Sequence, residues 1–536
     1  MTLQYKYIFT AGLVLSLGCT KLDQTLNDSF TRPGGSGSSD VAALLTGAYN
    51  SMNGLMHAQD QLFSLQETTT DEALIPVRGG DWDDNGVWRV LHAHQWTTIH
   101  SQMKSVFNGL GQLESGAITT LAFNPNATQR AEALFLRSLA QFYFLDLYGQ
   151  VPFRPVAEYN SIGPAPVMTP AQAVDTLTTV LRSIISQLPD GNWPYRASPD
   201  AARFLLMKVL LNKGAFLNKQ TPAFDNADML EVVSLGNTIM ANTGRYSLTP
   251  NYFDNFGPTN STVSKERILA WPNAGAASNN GINSGDIRAR WMMTLHYNSW
   301  DKNNTLGSAG WNGFTTVADF YNTFGSTDKR VGGVAYAGVT DQSGLKPGLV
   351  VGPQINEGGT AIKDRQGNAL SFTTDVKLIE TDKSRLEVAG IRVIKYPPDY
   401  SAYSSGNQKN QLQIFRFADV VLMVAEAKLR QTTPDAAGAL TLVNTLRTAR
   451  SATTFTAITL VNPANVYDPA TLLAERGREL YFESWRRQDL IRFGVYLKQW
   501  ALKDADADPQ RNLLFPIAPD ELLANPNLKQ NPGYGE

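Results

Sequence analysis

The chain is 536 residues long, only 18% of them are charged, and the formal net charge at pH 7 is −2. No basic stripe rises out of that near-neutral background, which excludes an electrostatic nucleic-acid binder. The single cysteine, Cys19, excludes an intrachain disulfide, and the length is enough to bury a large core.

At the N-terminus Lys6 precedes an apolar run over residues 8–17, closed by Gly18 and Cys19. The run is too short to span a bilayer and reads as a signal peptide over residues 1–18. The only cysteine falls at its end and resembles a lipoprotein box, although Ser16 stands three residues before it, where Leu is commonest. Cleavage there leaves Cys19 as a lipidated (palmitate-bearing) N-terminus. Residues 19–40 are polar and end in P-G-G-S-G-S-S, the composition of a flexible tether.

Helical periodicity begins at residues 41–56, with Leu44, Leu45, Ala48 and Met52 on one face. Residues 67–85 read as loop, and residues 88–113 turn helical after Trp96. Residues 128–148 form a strong helix whose apolar side carries Ala131, Leu134, Phe135, Leu139, Phe142 and Tyr143. Further helices are predicted at 170–188, 199–218 and 226–242. Similar lengths and short connectors are the pattern of stacked helical hairpins of a degenerate tetratricopeptide type. Residues 41–245 are therefore an N-terminal helical-repeat part of a mostly α fold.

Residues 246–410 change character. Glycine, asparagine and aromatics dominate, and only a short helix at 317–324 and short strands near 387–395 are predicted. So long an irregular region inside a compact fold reads as a functional, ligand-binding insert. Helices resume with a hairpin at 419–430 and 434–450. The C-terminal part, residues 411–536, is expected to pack with 41–245 as one domain, and its Pro-rich end, 516–534, to run extended.

Asp81, Asp83, Asn85 and Gly86 match the start of a calcium EF-loop, but the twelfth position is His92 and Pro76 breaks the preceding helix. The stretch reads instead as a ligand loop, because Trp82 and Trp88 stand among hydrogen-bonding groups. His92, His94 and His100 are close in sequence, yet no further ligand stands at zinc spacing. They read as hydrogen-bonded loop histidines, and neither metal nor cofactor is predicted. In the insert, Trp291, Tyr297, Trp300, Trp311 and Tyr321 mix with Asn298, Asp301, Asn303, Asn304 and Asn312. Aromatic faces suit the C–H faces of sugar rings and the polar groups suit their hydroxyl rims, an extension of ligand-pocket chemistry. No nucleophile elbow, phosphate loop, dinucleotide fingerprint or H-E-x-x-H occurs, so the protein is read as a binder and not an enzyme.

Near the C-terminus, Asp468 reads as an N-cap with Pro469 at the first helical position. Leu473, Leu480, Tyr481 and Trp485 share a face. Glu475, Glu479, Glu483 and Arg487 follow at four-residue spacing, and Glu483 also reaches Arg486. So many charges beside large aromatics predict a partly buried ion network that fixes this helix against its neighbours. A carboxylate active site is the functional alternative.

The same stretch, E-R-G-R-E-L-Y-F-E-S-W-R-R-Q-D-L-I-R-F-G at 475–494, closely resembles the C-terminal signature of the SusD/RagB family. Three more stretches resemble it: R-F-A-D-V-V-L-M-V-A-E-A-K-L at 416–429, A-L-T-L-V-N-T-L-R-T-A-R at 439–450, and the Pro-rich 512–534. The resemblance covers essentially the full length and implies a SusD-like fold of tetratricopeptide-type hairpins. It implies a lipoprotein of the outer membrane surface that captures oligosaccharide and delivers it to a SusC-like TonB-dependent transporter. In the family, R-G-G-D-W-type loops lie near the ligand, and the match here includes Arg78, Asp81 and Trp82. W-N-G-F at 311–314 resembles a recurrent family motif before a short helix, which gives Trp311 a structural alternative. The expected ligand-binding residues are Arg78, Asp81, Trp82, Asp83, Trp88, Trp291, Tyr297, Trp300, Trp311 and Asn312. Peptide or another nutrient on the same fold is the open alternative, followed by a protein-interaction adaptor and a surface glycosidase.

Overall fold

In the computed structural model, which describes residues 38–191, 193–273, 282, 285–299, 310–333, 346–356, 359–399 and 408–535, helices build the frame and loops fill one side of it. Cys19, the signal and all but the end of the tether lie outside the described residues, as do Trp300, Asp301, Asn303 and Asn304. The frame begins with α1 (Ser38–Asn50), α2 (Ser101–Ala122), α3 (Ala127–Tyr148), α4 (Pro170–Ile184), α5 (Pro199–Leu217) and α6 (Asn226–Met240). Neighbours in sequence pack side by side from α2 to α6, and α1 lies across α2 and α3.

The helices start where the sequence supplies caps. Asn126 and Gln129 form a capping box on α3, and Thr169 and Gln172 form one on α4. Pro170 and Pro199 occupy first-turn positions where no N–H is needed. α3 is the buried centre: Phe135, Leu139, Phe142, Phe144 and Leu147 are all enclosed by its neighbours.

The frame resumes with α7 (Phe417–Arg430) and α8 (Ala436–Ala449). α6 packs against α7 although the whole loop-rich region separates them in sequence. Gly236 permits that approach, since a β-carbon there would stand 2.2 Å from Val424 Cγ2 and 3.0 Å from Met207 Cε. Among the described residues no helix is long and apolar enough to cross a membrane.

The irregular region is tied down by short strands: β1 (Val77–Trp82), β2 (Arg267–Trp271), β3 (Gly348–Val350), β4 (Ile379–Glu380), β5 (Arg392–Ile394) and β6 (Leu412–Arg416). β1 pairs parallel with β4, matching Val77 to Ile379 and Arg78 to Glu380. β2 pairs antiparallel with β6, and β3 with β5.

Several boundaries differ from those expected. Part of the stretch read as loop at 67–85 is β1, because V-R-G-G-D-W has no two-residue alternation and gains its pairing from a distant strand. The helix expected after Trp96 is α2, which starts at Ser101 and runs on to Ala122, and a single turn at Arg89–His92 precedes it. The helix expected at 41–56 is interrupted at Ser51. The Pro-rich end contains a short helix, Pro519–Ala524.

The largest correction is near the C-terminus. Thr471, not Asp468, caps α9 (Leu472–Leu480), its side chain accepting from the Ala474 N–H. The helix then stops. Phe482 and Ser484 take left-handed backbone angles (φ 58° and 67°) before α10 (Arg486–Arg492) begins. Glu483 therefore cannot face Arg487 or Arg486 along one helix, and it pairs instead with Lys395 at 2.6 Å and Arg416 at 2.7 Å. Glu479 meets Arg416 at 2.7 Å and Arg450 at 2.8 Å, while Glu475 meets Arg330 at 2.8 Å and Arg478 at 2.7 Å. The network is fully buried and ties α9 to the insert, to β6 and to the end of α8.

Candidate ligand-binding site

Three segments of the irregular region meet at one surface. Residues 311–314 lie on the turn at 291–295: the N–H groups of Trp311, Asn312 and Phe314 donate to the carbonyls of Met292, Leu295 and Met293, each at 2.7 Å. Leu74 and Thr315 then exchange two backbone hydrogen bonds at 2.8 Å, which brings β1 alongside. Asn312 sits at φ 51°, a left-handed angle that asparagine tolerates better than most residues. Its Oδ1 accepts from Arg392 Nη2 at 2.7 Å.

Two buried arginines hold this junction from below. Arg78 donates to the carbonyls of Leu386 (3.0 Å), Ala389 (3.0 Å) and Gly313 (3.3 Å). Arg392 donates to the carbonyls of Ala389, Gly390 and Glu387 as well as to Asn312. Burial pushes the Arg78 guanidinium down to about 10, against the weaker upward pull of Tyr297 and Glu380. Both side chains act as brackets between strands.

Above them Trp82 and Trp311 remain partly exposed. Trp82 takes a left-handed angle (φ 65°), and its Nε1 donates to the Trp311 carbonyl at 2.7 Å. Its indole lies over Gly313, where a β-carbon would approach Cε2 to 2.4 Å. Trp88 and Phe314 meet it edge-on, with ring centres 5.6 and 5.5 Å away. Trp82 and Trp311, 6.5 Å apart, thus stand on a rigid aromatic base.

Polar groups flank the pair. Tyr297 donates its hydroxyl to Asp81 Oδ2 at 2.8 Å. Burial, and then the hydrogen bond to Asp81, raise that phenol to about 12. Asp83 pairs with Arg89 at 2.5 Å, and Asp84 accepts from Trp88 Nε1 at 2.8 Å. A cleft of about 560 Å³ opens beside Trp311, and Asn53, His57, Gln59, Asp286 and Arg288 stand on its other walls.

Of the expected site residues, Asp81, Trp82, Asp83, Tyr297 and Trp311 come together at this surface. Arg78, Trp88 and Asn312 are nearby but buried, and their contacts support the surface from within. Trp291 is corrected: its indole is fully enclosed in the main core and offers no face to a ligand. It is enclosed because the 311–314 segment hydrogen-bonds over its turn. Trp300 lies outside the described residues. The three neighbouring histidines diverge. His92 bonds the Ala73 and Ala501 carbonyls, His94 bonds Asp506 and the Thr69 carbonyl, and His100 bonds the Val87 carbonyl.

Sequence reasoning missed Arg365, Glu387, Arg89 and the Asp286–Arg288 pair. Arg365 and Glu387 come from turns remote in sequence from Tyr297, and a lone charge in a polar turn carries no spacing signal. A second cleft, of about 310 Å³, lies among α2, the 152–165 segment and residues 521–528, and no tryptophan lines it.

The sequence profile of the SusD family matches residues 219–534 of this chain. The starch-binding protein SusD of Bacteroides thetaiotaomicron is 24% identical over 590 residues, covering 99% of each chain. Among solved structures, a SusD-like protein from Bacteroides fragilis superposes with a TM-score of 0.66 at 17% identity, over 93% of this chain and 98% of that one. Surface glycan-binding protein A from Bacteroides thetaiotaomicron, solved in complex with laminarihexaose, gives a TM-score of 0.64 at 17% identity, over 92% and 99%.

Proposed function

This chain belongs to the SusD family, and from that premise we propose that it is a non-catalytic, cell-surface lipoprotein that captures oligosaccharide and delivers it to a SusC-like TonB-dependent transporter in the outer membrane. The observation that carries glycan binding is the Trp82–Trp311 pair, partly exposed and locked by a 2.7 Å indole hydrogen bond, with Trp311 also lining a cleft. Rigid aromatic faces stack on pyranose C–H faces at little entropic cost, and Asp81, Asp83 and Asn298 supply hydrogen-bonding partners for the hydroxyl rim. The solved relative that holds laminarihexaose and the curated relative that is named for starch supply two neutral glucans to test.

Capture without chemistry fits the way the site's carboxylates are used. Asp81 is tied to Tyr297, Asp83 to Arg89 and Asp84 to Trp88. None of these pairs sets two carboxyl groups across an open gap for acid and base work on a glycosidic bond. The lipid on Cys19 and the tether of residues 19–40 would hold the folded part at the membrane and let it swing over the transporter mouth.

The test is a calorimetric titration of purified protein with laminarihexaose and with a malto-oligosaccharide. Saturable binding is expected, with the sugar recovered uncleaved. Trp82→Ala and Trp311→Ala should each weaken it about tenfold or more, the scale of a buried aromatic anchor. Undiminished binding by both variants would remove the aromatic pair from the site, and cleavage of the sugar would overturn the non-catalytic reading.

A further inference from the structure

Arg365 lies against Tyr297 in an arrangement that glycan capture leaves unexplained. Its guanidinium carbon sits 4.0 Å from the centre of the tyrosine ring, a cation–π stack that occupies one ring face. Nε donates to Glu387 Oε1 at 2.7 Å and the Arg365 backbone N–H donates to Oε2 at 3.0 Å. Nη2 stands 3.6 Å from Asp81 Oδ2, the oxygen that accepts the Tyr297 hydroxyl.

The turn that carries Arg365 is held independently of its side chain. Asp364 Oδ1 accepts the N–H groups of Gln366 and Asn368 at 2.9 and 2.8 Å, and the Asp364 N–H donates to the Asn368 carbonyl at 2.8 Å. Gly367 supplies the left-handed angle, φ 88°, that closes the turn. The Arg365 side chain is 52% exposed. It can leave the ring by rotating its own torsions while the backbone stays in place, and the Asp81 carboxylate is within a short swing.

Asp81 and Glu387 face Arg365, and the buried Arg78 stands within electrostatic reach of the Tyr297 hydroxyl from below. A pyranose C–H face suits the ring face that the guanidinium vacates.

We infer that Arg365 is a displaceable cap on Tyr297: a glycan takes the guanidinium's place on the ring, and the guanidinium moves onto Asp81. The inference rests on the glycan-capture reading and adds to it a residue that sets the affinity for cargo. The cap competes with ligand, so removing it strengthens binding, whereas removing a ligand contact weakens it.

Laminarihexaose titrated into wild type, Arg365→Ala and Arg365→Lys separates these roles. Arg365→Ala should bind about two- to fivefold tighter, the size of one exposed cation–π contact. Arg365→Lys keeps the charge without the planar group and should fall between the two. Equal or weaker binding by Arg365→Ala alongside binding by wild type overturns the cap and leaves glycan capture standing. Binding by none of the three proteins overturns both.

Discussion

At Gly313 a single added methyl group would meet the indole of Trp82, with the nearest ring atoms at 2.4 Å. The close approach lets the indole lie flat on the backbone while its Nε1 reaches the Trp311 carbonyl. Gly313→Ala is therefore expected to push the indole outward, costing about 1–3 kcal/mol as overpacking and breaking the hydrogen bond. A red-shifted tryptophan emission together with weakened glycan affinity is the predicted result. An unchanged spectrum would show that the indole tolerates the methyl group. The same scale explains why exposure could not be read from residue type. Trp82, Trp88, Trp291 and Trp311 are alike in sequence, yet Trp291 is enclosed and Trp311 is not, because the 311–314 segment hydrogen-bonds across the turn that carries Trp291.

Among elements, α9 carries Glu475, Arg476, Arg478 and Glu479 within nine residues, all of them buried. Burial alone would raise Glu475, but the guanidinium groups of Arg330, Arg478 and Arg447 outweigh it and hold the carboxyl at about 2. Glu479 is pulled below the usual carboxylate range by Arg450 and Arg416 against the same opposing burial. Arg450 also bonds Glu266 and the Thr249 carbonyl, so it joins α9 to the start of the insert. A network of this kind contributes most when complete, since removing one partner strands a buried charge. Arg450→Met is predicted to cost about 3–5 kcal/mol, seen as a lower urea midpoint with an unchanged slope. A midpoint within error of wild type would show that Arg416 alone suffices. The four-residue spacing made the ion network legible in sequence, but its partners were not. The left-handed turn at Phe482 and Ser484 sends Glu483 toward Lys395 and β6, away from the arginines that follow it.

For the molecule as a whole, two buried acidic systems oppose each other in pH. Burial outweighed by Arg492 and Arg430 holds Glu426 at about 2, as the arginines do for Glu475. Such lowered groups contribute stability that is present above the unfolded carboxyl value and is lost as pH falls through about 2. Glu67 and Glu72 act in the other direction. Both are enclosed, Glu67 accepting from the N–H groups of Ser484 and Trp485 and Glu72 from Phe482. Burial raises both carboxyls, Glu72 to about 7, with Glu72 adding further upward pressure on Glu67. The contribution of Glu72 is complete below the unfolded value and fades as pH rises through about 7. Glu72→Gln should therefore flatten the decline in stability between pH 5 and pH 8, a difference on the order of 1–3 kcal/mol. Thermal midpoints across that range check it, and a wild-type-minus-variant difference that ignores pH would rule it out. At the same scale, Cys19→Ala is predicted to keep glycan affinity while leaving the membrane. Recovery of that variant in the outer membrane fraction would refute the lipid anchor.

The sequence by itself determined the mostly α frame, most of its long helices, and the C-terminal signature shared with the SusD family. Periodicity acts over a few residues, so it can be read along the chain. Only the tertiary structure decided that β1 pairs with β4, that Arg78 reaches Leu386, that Arg392 reaches Asn312, and that Arg365 covers Tyr297. Each of those contacts joins segments distant in sequence, and its strength comes from burial and charge partners that exist only once the segments have met.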